Sequence, residues 1–196
     1  MERPPGHHMK IAALALMVCV LAIASLLFGS ADVSFRDLLG LLSDDNDAPG
    51  LNTIVLDIRL PRTILALLVG AGVSASGAAI QGMFRNPLAD PALIGVSAGA
   101  ALFAAIYVVM DGSQGLSLIG MTGSAFVGGL LTTWIVLTVG GRGGGLSTIL
   151  LAGIAINAIA LSGVGMLSYL STDTQLRSIS FWALGSLNGA TWISVL

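Results

Sequence analysis

Side chains able to attack, shuttle protons or hold a metal are sparse in this sequence, and most of them lie outside its apolar runs. His7 and His8 are the only histidines and stand together near the N-terminus without a neighbouring carboxylate. They read as a leader remnant rather than a ligand pair. With both histidines there, no Ser/His/Asp set can form, which argues against an intramembrane enzyme. Cys19 is the single cysteine, set inside an apolar run. It can form neither an intramolecular disulfide nor a cysteine metal site and reads as a small apolar filler. A phosphate-cradling loop needs a Gly-Lys-Ser/Thr ending. The only lysine is Lys10, and the run Gly140-Gly141-Arg142-Gly143-Gly144-Gly145 lacks one. The chain therefore binds no cofactor of its own by this reading, and any ATP used is hydrolysed by another subunit.

Two polar amides remain inside the expected spans, Gln81 and Asn157. An amide in lipid is costly unless it faces protein or water. Both are expected to point inward, as helix-to-helix hydrogen bonds or as pore lining. The runs hold no Asp, Glu, Lys, Arg or His. Ion-coupled carriers usually place such a residue there, so a secondary transporter is disfavoured.

The elements that position these residues follow from composition. The chain of 196 residues is 55% hydrophobic and 9% charged, against roughly 25% charged in soluble domains. So few charges cannot cover a water-soluble surface. A net charge of -2 with scattered basic residues implies no nucleic-acid partner.

Spanning a hydrocarbon core of roughly 30 Å takes about 20 apolar residues in a self-bonded helix. Ile11 to Ala31 gives 21 uncharged residues, Thr63 to Phe84 gives 22 and Pro91 to Met110 gives 20. Gly112 to Gly141 and Gly143 to Thr172 hold 30 each, enough for one span with flanks and too short for two. The expected fold is all-α, a polytopic transmembrane helical bundle forming one permease domain over 1–196. Its spans fall at about 11–30, 61–84, 91–110, 116–139 and 146–170, and a sixth begins near 190. Because the sequence stops in Trp192-Ile193-Ser194-Val195-Leu196, it reads as truncated at its C-terminus.

The first run has a leader's outline, with Lys10 before it and Gly29-Ser30-Ala31 after it. It exceeds the core of about 7 to 15 residues usual in signal peptides, which favours a retained span. An inside N-terminus puts Arg3, Lys10, Arg85 and Arg142 inside and Arg36, Arg59, Arg62 and Arg177 outside, so the basic count is a tie. Close to the first span, Arg3 and Lys10 against Arg36 tilt it inward. The acidic loop Asp44-Asp45-Asn46-Asp47 would then face outward.

Gly, Ala and Ser recur inside the runs: Gly70, Gly72, Ser74, Ser76 and Gly77 in the second, Gly95 and Gly99 in the third. Such residues let helix backbones approach closely. The Gly95-to-Gly99 and Ser124-to-Gly128 spacings read as packing within the chain before dimer contact.

Two connections are more particular. Asp57-Ile58-Arg59-Leu60-Pro61-Arg62 precedes the second run, with Pro61 where a first helical turn tolerates it. Phe84-Arg85-Asn86-Pro87-Leu88-Ala89-Asp90-Pro91 follows it, with two prolines that force a break. With Ser76-Gly77, Gln81, Leu93-Ile94-Gly95-Val96-Ser97-Ala98-Gly99-Ala100, Leu146-Ser147-Thr148, Leu150-Leu151-Ala152-Gly153, Phe181-Trp182-Ala183-Leu184-Gly185-Ser186-Leu187 and Trp192, these resemble the FecCD family. Its members are the type II ABC importer permeases for ferric siderophores, haem and cobalamin. The resemblance covers the chain from about residue 11 to its end and matches the family's N-terminal portion.

The resemblance implies a bacterial inner-membrane, multi-pass subunit with a cytoplasmic N-terminus. Implied partners are a second permease copy forming a homodimer, ATPase subunits, a periplasmic substrate-binding protein and the lipid bilayer. It places Arg59 and Arg62 on the periplasmic face for binding-protein docking, where exposed charges steer encounter and set register; lipid-headgroup anchoring is the competing role. Gln81, Arg85, Asn86, Pro87, Leu146, Ser147, Thr148 and Asn157 then belong to the translocation pathway or its gate. Prolines and glycines there suit a hinge, or simply turn the chain. The wording Gln81 to Pro91 resembles haem permeases slightly more than siderophore ones, which orders the substrates as haem, ferric siderophore, cobalamin. The family's ATPase-contacting helices lie beyond the last residue here, so a polypeptide ending at Leu196 is not expected to couple to ATP. An energy-independent channel leaves the loop wording unexplained, and a non-transporting assembly subunit requires the shortened form to be native.

Overall fold

The structure, a computed structural model, describes residues 7–31, 33–42, 50–110, 118–141 and 145–195. The acidic loop at Asp44 to Asp47 and the arginine of the glycine run, Arg142, lie outside the described residues. In chain order the α-helices are α1 (His7–Leu27), α2 (Phe35–Leu42), α3 (Leu60–Phe84), α4 (Val96–Met110), α5 (Leu118–Gly140), α6 (Gly145–Leu170), α7 (Asp173–Leu184) and α8 (Trp192–Val195). A π-helical segment, Thr53–Arg59, runs directly into α3, and a 3-10 turn, Pro91–Ile94, precedes α4. No strand occurs among the described residues.

Among the described residues four helical stretches are long and apolar enough to cross a membrane: His8–Leu27, Thr53–Phe84, Ile119–Gly140 and Gly145–Leu170. Each overlaps one of the charge-free runs. The expected third span is divided: Pro91–Ile94 is 3-10, Gly95 turns left-handed with φ 77°, and only Val96–Met110 is α-helical. Its 15 residues reach about 23 Å, less than a bilayer core of roughly 30 Å. The second span begins upstream of its expected start. Pro61 has no N–H and its ring crowds the carbonyl four residues back. The wider π turn before it, in which the Leu60 N–H donates to the Val55 carbonyl, lets the helix continue through the proline.

The chain divides into two compact units. One contains the described residues up to Ala71 together with those from Leu187 on; the other is Gly72–Ser186. In the first, α1 lies against the π segment and Ser34 caps α2, donating its N–H to Asp37 Oδ2 at 2.8 Å.

In the second unit α4, α5 and α6 pack on one another. Their contacts are built on absent side chains. A Cβ on Gly99 would overlap the Thr132 hydroxyl, and one on Gly128 would overlap the Gly99 carbonyl. Thr132 turns its hydroxyl back to donate to the Gly128 carbonyl at 2.8 Å, so its polarity is satisfied inside α5. Ala104, Ala105, Val108 and Val136 are buried, while Phe126, Leu130 and Trp134 form an exposed stripe at four-residue spacing on α5. Ile179 of α7 joins Ala105 and Val108 in the core.

Candidate functional site

The two arginines expected at the outer face, Arg59 at the end of the π segment and Arg62 in the first turn of α3, differ in environment. Arg59 is 7% exposed. Its Nη1 donates to the carbonyls of Leu26 at 2.6 Å and Leu27 at 2.8 Å, and its Nη2 donates to the carbonyl of Ala31. The last carbonyls of a helix have no intrahelical partner and carry the negative end of its dipole. A guanidinium with five donors satisfies both needs. Beside it, Thr63 Oγ1 donates to the Arg59 carbonyl at 2.9 Å and lies 3.0 Å from Ser25 Oγ.

Arg62 is half-buried and far less committed. Its Nη2 donates to the Asn188 carbonyl at 3.2 Å, while its Nε is buried without a partner among the described residues. Close in sequence to Asn188, Trp192 donates its indole N–H to the Leu56 carbonyl at 3.1 Å. The segment 188–192 thus closes over the entrance of α3. Sequence reasoning quoted Trp192 as motif wording and gave it no partner; no spacing rule links residues 136 positions apart.

At the C-terminal end of α3 the chain leaves the helix through Arg85. Arg85 has φ 48°, the left-handed conformation that ends many helices and is usually given to glycine. The Asn86 N–H returns to the Gln81 carbonyl at 3.1 Å and the Arg85 N–H to the Gly82 carbonyl at 3.3 Å, a Schellman pair. Asn86 Oδ1 accepts the Leu88 N–H at 2.9 Å, and Asp90 Oδ1 accepts the Ala92 N–H at 2.7 Å as the cap of the 3-10 turn. Gln81, Arg85, Asn86 and Pro87 are all exposed.

The 3-10 turn sets this loop beside α6. A Cβ on Gly153 would overlap the Leu93 carbonyl, and one on Gly95 would sit 3.6 Å from the Asn157 nitrogen. Five to seven residues before Gly153, about 7.5 to 10.5 Å down the helix, the first turn of α6 carries Leu146, Ser147 and Thr148. Leu146 and Ser147 are exposed and Thr148 is half-buried. Asn157 is half-buried one turn above Gly153. The expected pathway residues therefore fall in one unit, near the junction of the 3-10 turn with α6; the two arginines belong to the other. Among the described residues no group of three His, Cys, Asp or Glu side chains could hold a metal ion.

Comparison with known proteins gives these sites a context. The chain is 43% identical over 191 residues to the hemin transport system permease protein HmuU of Yersinia pestis, covering 96% of this chain and 56% of that protein. It is 38% identical over 154 residues to the vitamin B12 import system permease protein BtuC of Escherichia coli, covering 79% of this chain and 47% of that one. A solved structure assigned as a metal-chelate type ABC transporter in an inward-facing conformation superposes with a TM-score of 0.81 at 29% identity, over 96% of this chain and 57% of that one. The chain spans about half the length of the curated relatives it matches. The family model described as the FecCD transport family matches residues 16–196, and with these relatives it places the chain as a membrane-embedded member of the FecCD transport family.

Proposed function

We propose that this chain belongs to the permease of an ATP-driven importer of iron complexes in the bacterial inner membrane, with haem as its cargo ahead of ferric siderophore and cobalamin. The observation that carries the reading is the 43% identity to a hemin permease along 96% of the chain. Both compact units are then parts of one transmembrane permease domain. A second permease copy completes the pathway, a periplasmic binding protein delivers substrate, and ATPase subunits hydrolyse the ATP.

The geometry supports a division of labour along α3. Arg62, with donor capacity left over at its entrance, meets an acidic side chain of the binding protein. Arg59 supports that surface from within. The loop Arg85 to Pro91, the α6 start at Leu146, Ser147 and Thr148, and the amides of Gln81 and Asn157 form the pathway and its exit.

The test is uptake of labelled haem, a ferric siderophore and cobalamin in cells lacking the native gene, with and without the gene restored. Rescue of haem uptake alone is expected. Rescue of cobalamin or siderophore uptake instead would replace the cargo, and no defect for any of the three would remove it.

A further inference from the structure

The loop between α3 and α4 contains two prolines and ends at Gly95, the makings of a hinge by composition. Its bonding is that of a rigid piece. The Schellman pair fixes Arg85 and Asn86, and the Asn86 side chain fixes Leu88. The Ala89 N–H donates to the Asn86 carbonyl at 3.1 Å, Asp90 caps the 3-10 turn, and the Gly95 N–H donates to the Ala92 carbonyl at 2.9 Å. Ala89 and Ile94 are buried. A change of backbone angle within this segment would break several of these bonds together.

Where it meets Gly153, the rigid piece is seated on α6 backbone against backbone. At Gly153 no side chain fits, because a Cβ would overlap the Leu93 carbonyl oxygen and lie 3.1 Å from Ile94 Cα. On the reciprocal side, a Cβ at Gly95 would lie 3.5 Å from the Gly153 carbonyl oxygen. Glycine Cα–H groups facing carbonyl oxygens make weak directional contacts. More important, no flexible side chain lies between the two backbones to take up a displacement.

We propose that Gly153 is a positioning residue that docks the Arg85–Gly95 segment onto α6, so that the exit loop and α6 move as one body. The angles that change during opening then lie outside this segment. The proposal rests on the reading of Asn86 and Pro87 as part of the exit, and its test separates the two.

Spin labels are placed on cysteines at Leu88 and Leu151, 87% and 67% exposed, with Cys19 replaced by serine. Their distance is measured in the native full-length permease assembled with its ATPase so that one permease copy carries both labels and the other none, nucleotide-free and ATP-trapped. One narrow distribution, the same in both states, is expected. Gly153→Ala should broaden it and lower uptake by about tenfold, since overpacking unseats the loop. A broad distribution without the substitution, a shift between the two states, or a Gly153→Ala protein with unchanged distance would each overturn the docking. If Gly153→Ala does not accumulate, the first two outcomes still decide. A narrow distance that broadens in Gly153→Ala, found without uptake of any cargo, would remove the transport reading and leave the docking. Normal uptake with a broad distance would remove the docking alone.

Discussion

Gly29 lies directly against the guanidinium of Arg59: a Cβ at position 29 would stand 2.6 Å from Nη2 and 2.9 Å from Cζ. The missing side chain is what lets Arg59 reach over the end of α1 and take the carbonyls of Leu26, Leu27 and Ala31. Without that charge, three acceptors would be left at the negative end of a helix dipole. Arg59→Ala is expected to cost about 2–3 kcal/mol, the worth of charge-assisted hydrogen bonds less what water restores. Gly29→Val should follow it at about 1–3 kcal/mol by displacing the guanidinium. Both are read as a fall in unfolding temperature of the purified protein in detergent. An unchanged temperature in both would mean that the cap contributes nothing.

Arg62 behaves oppositely under the proposed docking. Its one described hydrogen bond, to the Asn188 carbonyl, is 3.2 Å long. Arg62→Glu should leave the unfolding temperature near that of the parent and weaken association with the periplasmic binding protein by about tenfold or more, mainly through a slower on-rate. The loss should shrink as salt is raised, because exposed charges are screened beyond about 10 Å at 0.1 M. Surface-binding kinetics at two salt concentrations checks it, and a salt-independent affinity would point to lipid-headgroup anchoring instead.

Arg85 occupies a left-handed position at the end of α3 with φ 48°. For a residue with a Cβ this conformation costs roughly 1–2 kcal/mol. Its positive charge at a helix C-terminus offsets about 0.3–1 kcal/mol of that. Arg85→Gly should therefore be neutral to slightly stabilising. Arg85→Val, which keeps the strain and loses the charge, should destabilise by about 1 kcal/mol or more. Thermal unfolding of the pair gives the sign, and an Arg85→Gly protein clearly less stable than Arg85→Val would contradict it.

These contrasts show where the sequence was legible. Charge-free runs marked the long helices because lipid forbids unpaired backbone, a constraint that acts residue by residue along the chain. The wording around Arg59 and Arg62 located both arginines at the entrance of α3. It could not tell them apart, because what separates them is Gly29 on one side and Asn188 on the other, contacts made far along the chain. The π segment was hidden for a related reason: Pro61 reads as a helix start, and only the turn before it shows the helix running through. Gly99 and Gly128 were legible as packing residues and do pack α4 on α5. Gly72 and Gly77, of the same type, face nothing within 4 Å among the described residues. The pattern of small residues announces a close neighbour without naming it.

Gln175 carries the last prediction. Thr172 and Gln175 form a capping box at the start of α7, a pairing readable from their three-residue spacing. The Gln175 amide does more than the box requires. Its Oε1 accepts the Thr172 N–H at 2.9 Å, while its Nε2 donates to the carbonyls of Val108 at 3.3 Å and Val109 at 3.2 Å in the last turn of α4. One side chain thus joins the positive end of α7 to the negative end of α4, and only an amide offers an acceptor and two donors in one plane. Gln175→Glu keeps the acceptor for the box and replaces donors by a carboxylate oxygen facing two carbonyls. It should cost more than Gln175→Ala, about 2–3 kcal/mol against about 1–2 kcal/mol. If the box alone mattered, Gln175→Glu would match the parent, since Glu serves equally at this position of a capping box. Unfolding temperatures of the two variants, measured above pH 7 where the new carboxylate is charged, distinguish a local cap from a clamp between two helices.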